Sequence, residues 1–536
     1  MTPEAGSNHK VTTTEKKPVW RGAWQPQPRS AVLLLIAVTG LVRLLLGASL
    51  GLGIDESYTV ATGRQPQFGT FDHPPLAWWL VSASRFLFGT EAALVVRLPF
   101  ILLFAVTTWV IFRLTSLLYG ERAGMFAAVT LNLAPVLAWT SGSWVLPDGP
   151  LNAALAVGAL CIASALFGAP SRASYHWLAA GLAGGAAMMS KLHGVFLFAG
   201  VGLFLITQPQ HRRWLLTPWP YAGVALAFLV FLPFIIWNAE HHWLSFAFQA
   251  GRAQVRTITL TGPFLALVGQ SAVLLPWLWL PLIVCLVRAI RNGPSQPRDW
   301  LLVCLAIGPI VIFTLVSLTG SRTLPHWASP GYLFLFPLLG RAVAEAIDTG
   351  SSTVRPWLAA SSASLVAILA AALALAHLPW PQITYAQGKL VPNPIEEAID
   401  WKDLTQELKL RGLYSRARLF ISATRWHEAG KIDLALGGAM PVLCLCADPR
   451  GYGVIKRSSD YLGQDALIIG RGLTKSQVQS VYGPYFEHIE PMAPLAISHA
   501  GRQAFELAVF SAEGFKRSNA RPDLIDAFGL YRKPAP

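Results

Sequence analysis

Long apolar stretches recur along the 536-residue chain, and most are long enough to cross a bilayer. A transmembrane helix needs about 20 mostly apolar residues. Charged residues form 13% of the chain and hydrophobic residues 53%, whereas an average soluble domain carries roughly 25% charged residues. This composition excludes an ordinary soluble enzyme and a disordered chain, and it predicts an α-helical polytopic membrane protein. We expect about 11 spans, at residues 30–52, 92–119, 123–140, 151–167, 175–190, 194–207, 218–237, 262–287, 300–318, 329–343 and 356–376.

The distribution of Lys and Arg predicts how the chain threads the membrane. Five basic residues precede the first span: Lys10, Lys16, Lys17, Arg21 and Arg29. Because positive residues are retained in the cytoplasm, we expect the N-terminus inside and successive loops on alternating sides. The net charge of +14 is scattered between apolar stretches instead of clustered in one patch, so it does not indicate a nucleic-acid partner.

Three regions follow from this threading. Residues 1–29 are polar and basic and are predicted to be a disordered cytoplasmic tail. Residues 30–376 hold the spans, with a short amphipathic stretch at 76–88 that is expected to lie at the interface. Residues 377–536 lose the apolar runs and are predicted to form a small extracytoplasmic α/β domain. Its expected strands are residues 418–423, 441–446, 466–469 and 505–510, with a helix over 426–436.

Acidic residues gather in the loops that this threading places outside. Asp55 and Glu56 directly follow the first span, and Asp148 opens the fourth. Acidic groups at a membrane face can act as a general base or help to hold a divalent cation. Asp72 and His73 precede Pro74 and Pro75, which fix an extended approach to the amphipathic stretch. The alternative for each acid is a carboxylate that only caps a helix, and the residues alone leave both interpretations open.

Cations and aromatic residues share these outer loops. Lys191 and His193 lie between two short, Gly-rich spans, where a cation can bind a phosphate. Arg252 and Arg256 are four residues apart and would share a helix face, which suits phosphate or lipid headgroups. Arg322 and His326 add another cation and a histidine to the same surface. An interfacial, snorkelling lysine and an aromatic belt are the alternatives. Together these loops predict an extracytoplasmic site for a lipid-linked, negatively charged substrate.

The order of these motifs resembles the GT-C superfamily of integral-membrane glycosyltransferases. The resemblance covers roughly residues 30–350. It is nearest to the family 39 protein-mannosyltransferase-like enzymes and to the lipid A aminoarabinose transferases. The matching motifs are Asp55-Glu56-Ser57-Tyr58, Asp72-His73-Pro74-Pro75-Leu76, Pro147-Asp148-Gly149-Pro150-Leu151, Ser190-Lys191-Leu192-His193-Gly194, Trp237-Asn238, Trp243-Leu244-Ser245-Phe246 with Gln249, and His326-Trp327.

The resemblance implies an enzyme that uses a polyprenyl-phosphate sugar donor. The acceptor would be an extracytoplasmic lipid, glycan or protein, and transfer would proceed with inversion at the anomeric carbon. By similarity Asp55 is the general base, with Asp148 beside it. Glu56 would orient the acceptor or assist a cation. Some relatives use a divalent cation and others do not, so the resemblance leaves the metal and any other cofactor open.

The resemblance also implies the substrate-binding residues and a location. Asp72 and His73 stand where the aminoarabinose transferases carry a Glu-Lys pair, and this difference affects the sugar that is expected. The candidates for the phosphate are Lys191, Arg252, Arg256 and Arg322, and the same site is expected to include Tyr58, His193 and His326. The expected location is a bacterial inner membrane, with the active site and the C-terminal domain in the periplasm.

Two other function classes fit the same residues. A transporter or flippase for an anionic or lipid-linked substrate would use the acids as proton or ion sites. A non-catalytic assembly component would use its C-terminal domain to bind a partner. Only an enzyme should consume a lipid-linked sugar and lose that activity when Asp55 is neutralised.

Overall fold

The computed structural model describes residues 27–252, 254–255, 257–321, 323–379, 396–518, 520 and 526. The predicted N-terminal tail, residues 1–29, therefore lies almost wholly outside the described residues. Helices dominate up to residue 377. These helices are α1 (Pro28–Ser49), α2 (Ile54–Thr62), α3 (Leu76–Phe88), α4 (Ala93–Tyr119), α5 (Glu121–Asn132), α6 (Asp148–Phe167), α7 (Ala173–Ser190), α8 (Val195–Thr207), α9 (Trp219–Glu240), α10 (Leu244–Gly251), α11 (Gly262–Leu274), α12 (Pro276–Asn292), α13 (Pro297–Leu315), α14 (Ser329–Leu333), α15 (Phe336–Asp348) and α16 (Val354–His377).

The chain is a multi-pass membrane protein. In the described part, six helices are long and apolar enough to cross a bilayer: Pro28–Ser49, Ala93–Tyr119, Asp148–Phe167, Trp219–Glu240, Pro297–Thr319 and Val354–His377. Three bent pairs bring the number to nine if each pair is one span: Leu192–Thr207 with Pro209–Leu216, Gly262–Leu274 with Pro276–Ser295, and Pro325–Leu333 with Phe336–Asp348. The two remaining predicted spans fall on the shorter helices α5 and α7. Every predicted span thus coincides with helical structure.

The eighth predicted span, residues 262–287, is not one straight helix. It breaks between α11 and α12 with a bend of 115°. Leu275 adopts a left-handed backbone conformation, with φ at +72°, and Pro276 starts the second helix without a backbone N–H to continue the first. Proline is tolerated at the first position of a helix but not in its interior. The local sequence Leu-Pro therefore turns one apolar run into two helices.

Small residues let the membrane helices approach closely. Gly181 in α7 faces Gly223 in α9, and a Cβ at Gly181 would lie 2.2 Å from the Gly223 carbonyl oxygen. Close backbone approach through small residues is a common way to pack helices in lipid, where there is no hydrophobic drive between them. This contact fixes α7, whose C-terminus leads into the Lys191 turn.

The C-terminal domain is a five-stranded mixed sheet flanked by helices. Its strands have the order β2-β1-β3-β5-β4, in which β1 pairs parallel with β2 and β3, and β5 pairs antiparallel with β3 and β4. The elements are α17 (Lys402–Leu410), β1 (Leu419–Ala423), α18 (Trp426–Leu436), β2 (Val442–Cys444), α19 (Tyr452–Ile455), β3 (Asp465–Gly470), α20 (Lys475–Tyr482), β4 (His488–His499) and β5 (Arg502–Glu513). The small C-terminal α/β domain predicted from the sequence is confirmed.

Strand β4 was not predicted, and its sequence explains why. It carries Pro491 and Pro494, with a register irregularity between Met492 and Leu495. Proline cannot donate to a sheet ladder and is confined to edge strands and bulges. Because β4 is the last strand of the sheet, its prolines are tolerated although they hide the strand pattern.

The C-terminal domain packs directly on α2, the short helix after the first span. Gly430 of α18 touches the backbone of Tyr58, and a Cβ at Gly430 would lie 2.9 Å from the Tyr58 Cα. Buried Lys431 donates to the Leu52 carbonyl oxygen, which ends the segment before α2. On the other flank, Arg64 pairs with Asp433 of α18, with Nη1 and Oδ1 2.5 Å apart. The domain is therefore anchored to the residues that carry the first acidic motif.

Candidate active site

Loops at one end of the membrane bundle converge beneath the C-terminal domain. The C-terminal ends of α1, α7 and α9 lie there, together with the N-terminal ends of α3 and α6. Their side chains lie close enough for their charges to interact. The residues that meet are Asp55 and Tyr58 of α2, Asp72 and His73 before α3, Asp148 of α6, Lys191 and His193 between α7 and α8, Arg252 after α10, His326 before α14, and Arg450 of the C-terminal domain.

Asp55 combines exposure to the cavity with a low-dielectric setting. It lies in the first turn of α2, and its side chain is open to the space in front of it, while protein surrounds that space on nearly all sides. No described residue makes a hydrogen bond or an ion pair with its carboxyl. Burial raises the pKa of Asp55 to about 6, the charge of Arg450 opposes the rise, and Asp72 adds to it. A carboxyl with a pKa near the working pH and with free oxygens suits a general base.

Glu56, one residue on, points away from this cavity and is fully engaged. Arg97 of α4 binds both carboxylate oxygens, with Nε–Oε1 at 2.8 Å and Nη2–Oε2 at 2.5 Å. The backbone N–H groups of Gly53 and Val145 donate to the same two oxygens. The four acceptor positions of a carboxylate are thereby filled. The geometry favours a structural role for Glu56, and the predicted role in orienting the acceptor or a cation stays a prediction.

Asp72 is buried, and Arg450 is its ion-pair partner. Arg450 Nη1 lies 3.4 Å from Asp72 Oδ1, and the Asp72 side chain is 6% exposed. Tyr58 faces the same carboxylate, but neither Asp72 oxygen receives a hydrogen bond of ordinary geometry. Burial raises the pKa of Asp72, and Arg450 opposes the rise. The pair therefore keeps hydrogen-bonding capacity beyond its contacts with Tyr58.

The backbone that carries Asp72 is held by the hairpin of α9 and α10. The Ser245 hydroxyl donates to the Thr70 carbonyl oxygen at 2.6 Å, and the Gln249 amide donates to the Asp72 carbonyl oxygen. The Asn238 side chain accepts the Ser245 backbone N–H at 3.1 Å. These three residues belong to the matching motifs of the sequence. Their contacts give them a positioning role for the Asp72 segment.

Asp148 and Lys191 form a second buried ion pair in the same space. Lys191 Nζ lies 3.1 Å from both Asp148 oxygens, and both side chains are almost fully buried. His193 and His326 are near enough to interact with the Asp148 charge. The His193 ring stacks on Phe313 with centroids 4.5 Å apart, and its Nε2 is buried without a hydrogen bond. Asp148 is thus already neutralised by a cation, whereas Asp55 is not.

His73 lies between the two acidic groups. Burial lowers its pKa well below the usual range, and the charges of Lys191 and Arg252 lower it further. His73 is therefore a neutral imidazole at physiological pH. A neutral imidazole donates one hydrogen bond and accepts another. His73 therefore differs in charge from the cationic lysine that the aminoarabinose transferases carry at this position.

Arg252 extends over the aromatic floor of the site. Its guanidinium lies 4.6 Å from the Phe248 ring centroid and 5.3 Å from the Trp327 centroid. It makes no ion pair with a described residue. Cations stacked on aromatic faces keep their N–H groups free at the edges, so Arg252 remains available to an anion. The predicted residues Arg256 and Arg322 lie outside the described residues.

Two cavities flank the contact between α2 and the C-terminal domain. The first, about 450 Å³, is lined by Ile54, Arg425, His427 and Arg471 among others. The second, about 560 Å³, lies near His242 and residues 454–461. Charged side chains line both cavities, and the first opens beside Ile54, the residue that precedes Asp55. Space for a polar ligand therefore exists on the Asp55 side of the domain contact.

The described residues do not fit a divalent metal. They contain no group of three or more His, Cys, Asp or Glu placed to hold one. Two carboxylates near Asp55 already have cations: Glu56 binds Arg97, and Asp72 pairs with Arg450. A guanidinium therefore lies beside each of these two acids, in the place that a metal cation would need.

The sequence analysis missed two residues of this region. Arg97 lies within an apolar helix, and an ionisable residue there is a signal that could have found it. Arg450 lies in an Asp448-Pro449-Arg450-Gly451 turn and has a left-handed backbone, with φ at +45°. Nothing in that turn indicates a partner more than 370 residues earlier in the chain, so only the fold reveals it.

Known proteins resemble this chain in part of its sequence and in its fold. Residues 72–237 match the family described as dolichyl-phosphate-mannose-protein mannosyltransferase. The lipid A galacturonosyltransferase RgtD of Rhizobium johnstonii is 25% identical over 321 residues. That alignment covers 57% of this chain and 64% of the relative, so somewhat less than two thirds of the relative is matched.

Solved structures extend the likeness in fold over up to 90% of the chain. ArnT from Cupriavidus metallidurans in the apo state has a TM-score of 0.64 at 13% identity, and the match covers 90% of this chain and 98% of ArnT. The same protein bound to undecaprenyl phosphate has a TM-score of 0.61 at 15% identity, covering 89% and 97%. The archaeal oligosaccharyltransferase AglB from Archaeoglobus fulgidus, in complex with an inhibitory peptide and a dolichol-phosphate, reaches 0.50 at 12% identity, covering 77% and 64%.

Proposed function

We propose that this chain is an integral-membrane glycosyltransferase of the GT-C type and that it transfers a sugar from a polyprenyl-phosphate donor to an extracytoplasmic acceptor with inversion. A matching family model over residues 72–237, a glycosyltransferase relative and the ArnT-like fold support the proposal. The observation that carries the proposal is the state of Asp55. Its side chain is exposed and makes no hydrogen bond or ion pair with a described residue, and burial in the surrounding protein raises its pKa to about 6. The neighbouring acids Glu56, Asp72 and Asp148 are each paired with a cation.

In the proposed reaction an acceptor hydroxyl attacks the anomeric carbon of the donor sugar. Asp55 takes the hydroxyl proton as the new C–O bond forms. The bond from the anomeric carbon to the phosphate oxygen breaks, and its electron pair leaves with the polyprenyl phosphate. A single displacement of this kind inverts the anomeric configuration. Asp148 acts by holding Lys191 in place.

Cations near the departing phosphate oppose its developing charge. Arg252 and Lys191 are the described candidates: the charge of Arg252 reaches Asp55 and Asp72, and Lys191 lies in the same site, paired with Asp148. Fixed charges in a buried site cost no reorganisation during the reaction and act in a low dielectric. Arg256 and Arg322 remain further candidates from the sequence.

The relatives suggest the substrate class. One ArnT structure is bound to undecaprenyl phosphate and one AglB structure to a dolichol-phosphate, which supports a polyprenyl-phosphate carrier here. The relative of Rhizobium johnstonii is named as a lipid A galacturonosyltransferase, which supports a glycolipid acceptor and a uronic acid among the sugars to test. An envelope glycan or a protein remains an alternative acceptor.

The proposed location is a bacterial inner membrane, with the site and the C-terminal domain on the periplasmic side. The Lys and Arg residues before the first span support an N-terminus in the cytoplasm. No observation favours a transporter or flippase, because the acids converge at one end of the bundle beneath a folded domain and not at its centre.

The test is sugar transfer by purified protein in lipid from a panel of radiolabelled undecaprenyl-phosphate sugars, with an envelope extract as acceptor. Wild type and Asp55→Asn are compared with Asp403→Asn, a control that removes a carboxylate hydrogen-bonded to Ser498 in the C-terminal domain. We expect transfer by wild type and by the control, and a loss of at least 100-fold in Asp55→Asn. Full activity in Asp55→Asn would exclude Asp55 as the base, and no turnover of any donor by folded wild type would contradict the enzyme assignment.

A further inference from the structure

The Asp72–Arg450 pair is incompletely hydrogen-bonded within the described residues. Both Asp72 carboxylate oxygens and Arg450 Nε are buried without a hydrogen bond of ordinary geometry; the Tyr58 hydroxyl faces the Asp72 carboxylate, and Asp448 Oδ2 lies 3.8 Å from Arg450 Nε. The closest approach within the pair is 3.4 Å, whereas charge-assisted N–H···O hydrogen bonds are about 2.7–2.9 Å long. Buried polar groups are almost always satisfied in folded proteins. An incomplete pair of this kind beside the proposed base therefore indicates a ligand.

The chemistry of the pair restricts that ligand. An ionised carboxylate only accepts hydrogen bonds, and a guanidinium only donates them. A hydroxyl group both donates and accepts, so hydroxyl groups can bridge Asp72 and Arg450 and satisfy both. Two neighbouring hydroxyls on one ring match the two oxygens of the carboxylate and the planar fork of the guanidinium. A phosphate would satisfy Arg450 but would repel Asp72.

The position of Arg450 is fixed by the fold. Its guanidinium stacks on Trp426 of α18, 3.7 Å from the ring centroid. The next residue, Gly451, donates its backbone N–H to the Tyr58 hydroxyl at 2.8 Å. A Cβ at this glycine would lie 2.6 Å from that hydroxyl oxygen. The turn therefore approaches α2 closely and presents Arg450 to Asp72 from the C-terminal domain.

We propose that Asp72 and Arg450 form the subsite that binds the hydroxyl groups of the transferred sugar, with one half supplied by the membrane domain and the other by the C-terminal domain. The inference rests on the proposed function for the presence of a sugar donor. It adds that the C-terminal domain takes part in recognising the sugar. A sugar acid would gain a further contact to Arg450, and an amino sugar would gain one to Asp72.

The test compares the bare carrier with derivatives that differ from it only in the sugar. Native mass spectrometry of the full-length protein measures the binding of undecaprenyl phosphate and of its derivatives carrying mannose, galacturonic acid or aminoarabinose. The variants are Arg450→Gln, Arg450→Lys and Asp72→Asn. The control is Arg411→Gln, which removes an arginine of the same domain that binds Glu407 and the carbonyl oxygens of Ala493 and Pro494.

We expect wild type to bind at least one sugar-bearing lipid more tightly than the bare carrier. Arg450→Gln and Asp72→Asn should each weaken binding of that lipid by about 10- to 100-fold, the range for losing a hydrogen bond to a charged group. Binding of the bare carrier should change by less than about twofold, and Arg450→Lys should fall between. The control should match wild type for both ligands.

Three outcomes overturn the inference. One is an equal loss of binding for the sugar-bearing lipid and the bare carrier, since Arg450 would then contact the phosphate or support the fold. Another is an unchanged sugar preference in both Arg450→Gln and Asp72→Asn. The third is a wild type that binds the carrier equally with and without a sugar. Failure of the proposed function looks different: wild type binds the donor selectively but transfers no sugar to any acceptor.

Discussion

Replacing Arg97 by methionine tests whether Glu56 is a structural anchor and not part of the chemistry. All five guanidinium N–H groups of Arg97 are engaged. Two bind the Glu56 carboxylate, and three bind the carbonyl oxygens of Gly47, Leu50 and Gly51. The side chains of Arg97 and Glu56 are 3% and 4% exposed. The pair therefore ties the end of α1 to the start of α2 in a site that excludes water.

The magnitude follows from that burial. Removing one partner of a buried pair leaves an uncompensated charge and costs about 3–5 kcal/mol. In Arg97→Met the Glu56 carboxylate would keep only the N–H groups of Gly53 and Val145, and three carbonyl oxygens would lose their donor. Folded proteins are stable by about 5–15 kcal/mol in total. The loss is thus a large fraction of the stability, and Glu56→Gln should lose a similar amount because it strands the guanidinium.

The assay is equilibrium unfolding of the purified protein in mixed micelles, with helical circular dichroism as the signal. We expect the double variant Arg97→Met/Glu56→Gln to be more stable than the sum of the single losses predicts, by at least about 1 kcal/mol. Transfer per folded molecule should fall alike in both single variants, since both displace the Asp55 turn. Single variants within about 0.5 kcal/mol of wild type would refute the reasoning, as would strictly additive losses.

Other expectations follow from the same structure. Because Asp55 must be ionised to accept a proton and its pKa is about 6, transfer should rise with pH, be half-maximal near pH 6 and fall to about a tenth at pH 5; a flat profile from pH 5 to 7 would contradict this. Buried Lys431 has a pKa lowered to about 8 by desolvation, so the unfolded chain holds this proton to higher pH than the folded protein does. Stability should therefore increase between about pH 8 and 10.5, by about 3 kcal/mol in total, and Lys431→Met should abolish that increase in unfolding experiments. Gly430→Val should force α18 away from Tyr58, destabilise the protein by about 1–3 kcal/mol and reduce transfer, whereas Gly412→Val, at a left-handed position with no neighbour within 4 Å of the new Cβ, should reduce stability but preserve transfer per folded molecule.

The membrane architecture was predictable because it depends on length and composition. Each predicted apolar run is helical in the structure, because a backbone in lipid must satisfy its polar groups internally. The break at Leu275 escaped because a proline inside an apolar run can start a second helix as readily as kink the first. Strand β4 escaped because its prolines conceal an edge strand.

The site was predictable only in part, because the sequence locates the ends of the spans but not the directions of the side chains there. Asp55, Asp72, Asp148 and Lys191 follow the ends of spans, so the threading alone gathers them at one face. Which charges pair depends on the direction of each side chain, and that direction cannot be read from the sequence. The sequence therefore did not distinguish Glu56, whose acceptors are all filled, from Asp55, whose acceptors make no hydrogen bond with a described residue. Arg450 belongs to a domain whose place on α2 depends on shape, as the close contact at Gly430 illustrates.

The hydrogen bond between Gly451 and the Tyr58 hydroxyl joins residues 393 positions apart. A ribosome adds about 5–20 residues per second, so roughly 20 to 80 s separate the synthesis of the two partners. Throughout that interval the first span and its acidic motif are in the membrane while the turn that covers them does not yet exist. A nascent chain, or one that ends before residue 450, therefore holds the proposed base without its guanidinium neighbour, and the site is complete only once the C-terminal domain has been synthesised and has folded onto α2.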